Sequence, residues 1–217
     1  MVKFLACLFM VIDHIGCYFF PQLIWLRMIG RISMPFFAYA IARGYFYSKK
    51  KNTLSKYLKN LLIFSLISQI PYFLLHPEGT LNIGFTWLFS LIILIELESK
   101  EPILKRILTI AIACCLSIFF PVSYGLYGVL FPILFYCTLI KKKEPLTSFY
   151  LSFFLWIVFF LLTNGENIYQ IFATLSIPLL LLAIKYDRKI KLPKPFFYLF
   201  YPAHLMLIYL LKLLLSL

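Results

Sequence analysis

Apolar residues in this chain come in long runs divided by short polar or basic connections. The runs fall at about 3–20, 23–47, 57–75, 81–97, 103–120, 125–140, 147–163, 167–185 and 196–215. About 20 apolar residues in a helix cross the ~30 Å hydrocarbon core of a bilayer. The pattern predicts an all-α fold, a polytopic transmembrane helix bundle of about nine spans. The fourth and sixth runs hold ~16–17 residues, or ~25 Å of helix, and are short for a perpendicular crossing. Pro21-Gln22 is so short a connection that runs one and two must be antiparallel neighbours. No internal repeat is evident and no stretch remains for a soluble domain, so residues 1–217 read as a single transmembrane domain.

Composition agrees. The chain is 63% hydrophobic and 13% charged, with a mean hydropathy of +0.92. Those values exclude a disordered chain, a disulfide-stapled secreted domain and an ordinary water-soluble enzyme, whose interior could not hide so many apolar residues. The five cysteines, Cys7, Cys17, Cys114, Cys115 and Cys137, lie in apolar stretches without C-x-x-C spacing. They read as small packing residues with no redox or metal role. Lys3 followed by an apolar run resembles a signal peptide. Asp13 and His14 interrupt that run, however, and no small-x-small cleavage site follows, so it is expected to be a retained first helix.

The charges are lopsided, with 21 Lys+Arg against 8 Asp+Glu. Lys49, Lys50, Lys51, Lys56 and Lys59 follow run two; Lys100, Lys105 and Arg106 follow run four. Lys141, Lys142 and Lys143 follow run six; Lys185, Arg188, Lys189, Lys191 and Lys194 follow run eight. The odd-numbered connections, at Pro21-Gln22, His76–Thr80, Pro121–Tyr124 and Thr163–Glu166, hold no Lys or Arg. Positive residues mark the cytoplasmic side. The N-terminus with Lys3 is therefore cytoplasmic, nine spans put the C-terminus outside, and no nucleic-acid partner is expected.

The basic residues left over are Arg27, Arg31, Arg43 and Lys212. A charge in hydrocarbon costs roughly 2.5–3.5 kcal/mol on insertion scales, so ionisable residues inside spans are functional candidates. In the expected topology Asp13 and His14 lie roughly 10 Å below the outer surface, Arg27 roughly 6 Å and Arg31 roughly 12 Å. Arg27 and Arg31, four residues apart, share a helix face. Asp13 and His14 lie about 100° apart around their helix and do not face each other. Asp13 is expected to pair with Arg31 while His14 points into a cavity; equally, Asp13 and Arg31 read as a structural ion pair fastening the hairpin. Arg43, near the cytoplasmic end, can snorkel. His204 follows Pro202, roughly 12 Å in from the cytoplasmic side, and reads either as structural or as lining a path through the bundle. Asn82, Gln69, Tyr124 and Tyr201 are polar residues near span ends.

A neutral imidazole suits a general base for an amine or hydroxyl, and an arginine suits an oxyanion or phosphate. The chain has no H-E-x-x-H, G-x-S-x-G or P-loop motif. A base plus an arginine, without metal ligands or a nucleophile, points to group transfer by direct attack on an activated donor. A proton-linked or small-molecule transporter uses the same residue types, although no inverted repeat is seen. A non-catalytic membrane assembly factor is the third reading.

Two blocks near the N-terminus, Val11-Ile12-Asp13-His14-Ile15-Gly16 and Leu26-Arg27-Met28-Ile29-Gly30-Arg31-Ile32-Ser33-Met34-Pro35-Phe36-Phe37-Ala38, resemble the N-terminal signature of the TraX family. So do Leu66-Ile67-Ser68-Gln69-Ile70-Pro71-Tyr72, Leu81-Asn82-Ile83-Gly84-Phe85-Thr86, Tyr124-Gly125-Leu126-Tyr127-Gly128-Val129 and Phe197-Tyr198-Leu199-Phe200-Tyr201-Pro202-Ala203-His204-Leu205. The blocks reach across nearly the whole chain. The resemblance implies a multi-pass acetyltransferase of the bacterial cytoplasmic (inner) membrane, similar to the type-3 acyltransferase group, with acetyl-CoA as donor and no metal. The family's namesake acetylates pilin. Carried over by position, its Asp-His falls on Asp13 and His14, its Gly-Arg on Gly30 and Arg31, and its C-terminal histidine on His204. The chain departs from the pattern in two places: Val122 and Ser123 stand where relatives often have an acidic residue, and Arg43 where many have Glu. The implied roles are His14 as general base with Asp13 and Arg31 in the catalytic group. Arg27, Arg43, Asn82, Tyr124, Tyr201 and His204 would bind substrate or donor. Lys49–Lys51 and Lys185–Lys194 would meet the donor's phosphates. Membrane lipid, acyl-CoA and an extracytoplasmic peptide, glycan or small-molecule acceptor are the implied partners.

Overall fold

The computed structural model describes residues 1–141, 150, 154, 172–173, 175–186 and 193–215, with the side chains of Lys194 and Pro195 left out. Run seven beyond Tyr150 and Phe154, the Thr163–Glu166 connection, Lys142, Lys143, Arg188, Lys189 and Lys191 lie outside the described residues. The described chain is helical: α1 (Val2–Tyr18), α2 (Ile24–Gly30), α3 (Ser33–Lys50), α4 (Leu54–Leu75), α5 (Ile83–Leu97), α6 (Ile103–Phe119), α7 (Gly125–Phe135), a π-helix (Tyr136–Lys141), α8 (Ser176–Lys185) and α9 (Lys194–Leu214). One isolated bridge pairs Leu81 with Val122.

Run two differs from its expected form. It is two helices, α2 and α3, parted at Arg31 and Ile32. Pro35 fits the break. Its ring nitrogen cannot donate to the carbonyl of Arg31, a loss that costs nothing in the first turn of a helix, whereas Pro71, Pro132 and Pro202 stand inside their helices without ending them. The chain restarts at Ser33, which puts Pro35 in that first turn. Ser33 Oγ then donates to the carbonyl of Ala6 at 3.0 Å, tying the new start to α1.

The chain divides into two compact units, Met1–Ala40 with Lys142–Leu217, and Ile41–Lys141, and α3 runs from one into the other. In the first unit, α1 is packed by α2, α8 and α9. In the second, α5 is the central helix, touched by α4, α6 and α7. Leu91, Ile93 and Leu94 of α5 are buried, and Trp87 stacks on Phe64 of α4 with ring centroids 6.3 Å apart. Asn82 caps α5 by accepting from the Gly84 N–H at 2.8 Å, the ordinary use of Asn at a helix start.

The exterior is lipid-like. On α4, Leu62, Ile63, Leu66, Ile67, Ile70 and Phe73 are exposed while Ser65 and Ser68 are buried. On α6, Ile103, Leu104, Ile107, Leu108, Ile112 and Phe119 are exposed. A soluble protein places such residues the other way round. Two described helices, Leu54–Leu75 and Phe196–Leu214, are long and apolar enough to cross a membrane, and only 28% of each apolar window is buried within the protein. A water-soluble core helix would be mostly buried. The fold is all-helical, and its apolar exterior fits a membrane protein.

Candidate functional site

The first unit holds a charged cluster on α1 and α2. Asp13 is buried, and two arginines close on its carboxylate. Arg31 donates from Nη2 to both carboxylate oxygens at 2.7 Å, and Arg27 donates from Nη1 to Oδ2 at 2.8 Å and to the Asp13 carbonyl at 3.1 Å. The expected pairing of Asp13 with Arg31 is present, and Arg27 joins it. Arg31 keeps its spacing because it caps α2 in helical geometry, its N–H bonding to the Arg27 carbonyl at 3.1 Å. The turn at Phe19–Leu23 folds α2 back on α1.

Glycine makes the approach possible. A Cβ on Gly30 would run into the Cβ, Oδ1 and Cα atoms of Asp13, and one on Gly16 would lie 2.6 Å from the Leu26 Cβ. Each helix contributes one bare backbone to the crossing, and Asp13 rests on that of Gly30. The carboxylate is therefore caged by two guanidiniums and a close backbone. Counted formally, the group carries one net positive charge.

Beside Asp13, His14 turns to α9. Its Nδ1 lies 2.7 Å from Nε2 of His204, with the ring centroids 4.9 Å apart and the ring planes 5° from parallel. His204 is buried, its Nδ1 lies 3.1 Å from the Phe200 carbonyl, and Tyr201 packs 5.6 Å away. Tyr18 meets His14 edge-on at 6.0 Å, and Lys212 lies over Tyr18 at 5.5 Å. The histidines were expected in opposite halves of the bundle; they form one pair instead. Sequence spacing of 190 residues carries no signal of that contact.

Arg43, Asn82 and Tyr124 belong to the second unit. Arg43 lies over the Tyr47 ring at 5.7 Å. The Asn82 side chain is spent on structure: Nδ2 donates to the Ser65 carbonyl and to Gln69 Oε1, both at 2.8 Å, while Oδ1 caps α5. Tyr124 sits in the left-handed region (φ 63°) ahead of α7, a costly place for a residue with a Cβ. The preceding segment is held by Leu81, whose N–H donates to the Pro121 carbonyl and whose carbonyl accepts from the Ser123 N–H.

The sequence reading missed Glu98, just beyond α5. Its carboxylate accepts from Lys49 (2.8 Å), Lys141 (2.7 Å) and the Tyr136 hydroxyl (2.7 Å), with the Tyr45 hydroxyl at 3.2 Å. Burial pushes this acid up, but the bonds from Lys141, Lys49 and Tyr136 outweigh it and hold the pKa down at about 2. Its rarity was a usable signal, since the chain has only 8 acidic residues. Among the described residues no group of three or more His, Cys, Asp and Glu could hold a metal ion.

An all-helical membrane protein with a carboxylate, two arginines and a histidine pair gathered on three helices is the class that the fold and site define. The chain matches the family model for TraX protein over residues 1–212, and so belongs to the TraX family. It is 26% identical to a probable fimbrial assembly protein, FimC of serogroup H1, from Dichelobacter nodosus, over 95% of this chain and 92% of that protein. It is 44% identical to the uncharacterized protein RP591 of Rickettsia prowazekii (strain Madrid E) over 71 residues, 32% of this chain. That match spans about a quarter (25%) of the Rickettsia protein's length. No solved structure matches.

Proposed function

We propose that this protein is a transmembrane acetyltransferase of about nine spans in the bacterial cytoplasmic membrane, its N-terminus in the cytoplasm. It moves an acetyl group from cytosolic acetyl-CoA to an amine or hydroxyl at the outer face. His14 is the general base. Asp13 fixes Arg31 and Arg27, whose net positive charge faces the developing oxyanion. The anionic donor would meet the basic connections that the Lys/Arg pattern assigns to the cytoplasmic side. The name of the Dichelobacter relative, a probable fimbrial assembly protein, favours a fimbrial or pilin-type acceptor.

The observation that carries this reading is the placing of His14 beside the Asp13–Arg27–Arg31 group, its ring held 2.7 Å from a second imidazole. A base whose orientation is fixed by another group, next to a cationic site, is the arrangement that acyl transfer needs. The test is acetyl transfer from labelled acetyl-CoA by the protein in nanodiscs. His14→Ala should lower transfer by roughly 10²–10⁴-fold while the protein still inserts. Full transfer by that variant would sink the assignment.

A second reading, a non-catalytic assembly factor, is favoured by the bonding of Asp13, whose two carboxylate oxygens are both taken by arginine. Under it Asp13 and Arg31 only fasten α1 to α2. A protein carrying both Asp13→Arg and Arg31→Asp would then regain function, which an acetyltransferase should not.

A further inference from the structure

We infer that His204 is a positioning residue that fixes the tautomer of His14 and takes up its proton during transfer, so that the two imidazoles act as one base. The inference rests on the acetyltransferase reading for its chemistry, and on bonding geometry alone for its proton positions.

The proton positions follow from one carbonyl. Nδ1 of His204 lies 3.1 Å from the Phe200 oxygen. A carbonyl only accepts, so His204 carries its proton on Nδ1. In the neutral ring, Nε2 of His204 is then an acceptor. It lies 2.7 Å from Nδ1 of His14, so His14 must donate there, and its own proton sits on Nδ1. In that neutral tautomer the lone pair of His14 is on Nε2. An aspartate performs this orienting task in a Ser-His-Asp triad. Here a second imidazole performs it, backed by a backbone carbonyl.

An imidazole in that place can also receive the proton. As the acceptor's amine or hydroxyl attacks the thioester carbonyl, its proton passes to His14 Nε2. The His14 Nδ1 proton moves across the 2.7 Å bond to His204 Nε2. The new C–N or C–O bond forms, the C–S bond breaks, and the thiolate leaves with the electron pair. The excess proton returns along the same two bonds to the thiolate, giving the acetylated acceptor and the free CoA thiol. Atoms and charge balance, with acetyl-CoA as the only co-reactant.

Charged and titratable groups sit on every element that carries or packs the pair, with Lys3 and Cys17 on α1 and Tyr198 and Tyr209 on α9 besides the following. From α1 they are Asp13 and Tyr18; from α2 and its cap, Arg27 and Arg31; from α9, Tyr201 and Lys212, the latter over Tyr18. On α8, Lys185 lies over Tyr186. The one carboxylate in this group, Asp13, is bonded to the two arginines.

The test has two arms. The chain has three histidines, so His76→Gln leaves only the pair. In that protein, labelled with ¹⁵N-histidine in nanodiscs, nitrogen shifts at neutral pH should show both rings protonated at Nδ1 and bare at Nε2. On acidification the two rings should shift together as one unit takes up the first proton. Adding His204→Gln, whose amide oxygen still accepts from Nδ1 but cannot be protonated, should return His14 to a single-site titration. A bare Nδ1 on either ring, or a His14 titration that His204→Gln leaves unchanged, would overturn the inference.

The second arm measures acetyl transfer by His204→Gln and His204→Phe. Both should lower kcat about tenfold to a hundredfold with KM little changed. His204→Gln should keep the more activity of the two and show an altered pH profile. Wild-type kcat and pH profile in both variants would overturn the relay. If the wild-type protein transfers no acetyl while the nitrogen shifts are as expected, the acetyltransferase reading fails and the tautomer assignment stands.

Discussion

Two carboxylates organise the two units, and they are held by different chemistry. Asp13 sits within the α1–α2 crossing, bonded to two arginines and pressed on the bare backbone of Gly30. Glu98 sits past the end of α5, bonded to two lysines and two tyrosine hydroxyls. Asp13 and Arg31 are both nearly closed to solvent, at 9% and 10% side-chain exposure, whereas Lys49 and Lys141 are about half exposed, at 47% and 52%. Each guanidinium reaches the carboxylate through one terminal nitrogen, and a guanidinium is weakly hydrated, so it suits the enclosed position. An ammonium on a flexible stem keeps its water and suits the rim. The first group should therefore be hard to break and the second forgiving.

The largest effect should come from Asp13→Ala. It takes the carboxylate from the buried Arg31 and the part-exposed Arg27, and breaking a buried pair costs about 3–5 kcal/mol. Resistance to unfolding in mixed micelles should drop accordingly, and Asp13→Asn should fall between it and the wild type. If Asp13→Ala unfolds like the wild type, the cluster carries no structural weight and the comparison fails.

Next comes Gly30→Ala. The added methyl meets the Cβ, Oδ1 and Cα atoms of Asp13, and part of that contact is backbone, which cannot swing away. Overpacking of this kind costs about 1–3 kcal/mol. Thermal unfolding in detergent measures it, and Gly79→Ala is a useful contrast. Nothing lies within 4 Å of that position, although its positive φ of 82° adds some backbone strain.

Acid should separate the two regions further. The folded Glu98 carboxyl, at about 2, lies below its ordinary 4.5. Its contribution to stability is thus full above pH ~4.5 and is lost as pH falls toward 2. Thermal unfolding of the wild type and of Glu98→Gln, compared at pH 6, 4 and 3, should converge over that window. A gap that stays constant would mean the carboxylate is not held by its lysines.

The smallest effect belongs to Lys49→Ala. Exposed ion pairs contribute about 0–1 kcal/mol, and Lys141 and Tyr136 still serve Glu98. A loss above about 1.5 kcal/mol in the same unfolding assay would place the rim lysine on a par with the buried arginines and dissolve the contrast.

How much of this could be read from sequence differs between the two regions for a physical reason. Asp13 and Arg31 announce themselves because a charge inside an apolar run has to be explained, and the short Pro21-Gln22 turn brings their helices together. Glu98 stands at a run's end, where an acidic residue looks like any solvated surface group. The histidine pair needed the fold, since nothing local links His14 to α9. The break before Ser33 was legible in principle, because Pro35 forbids one backbone bond, but the apolar run continues through it and hides it. Asn82 was legible in another way. A polar residue ahead of a glycine and an apolar run is a helix cap by rule, and its side chain does cap α5.

The π-helix at Tyr136–Lys141 has a consequence for register. Tyr136 and Lys141 both reach Glu98, yet they are five residues apart. On an α-helix that spacing turns the second residue about 140° away from the first. The wider π turn, closed by bonds between residues five apart, brings it back above the first. The segment thus measures in fives where the rest of the chain measures in fours. A one-residue deletion there would restore ordinary winding, swing Lys141 off the carboxylate and rotate the exit of the chain. Length, as much as residue identity, is what this turn has to preserve.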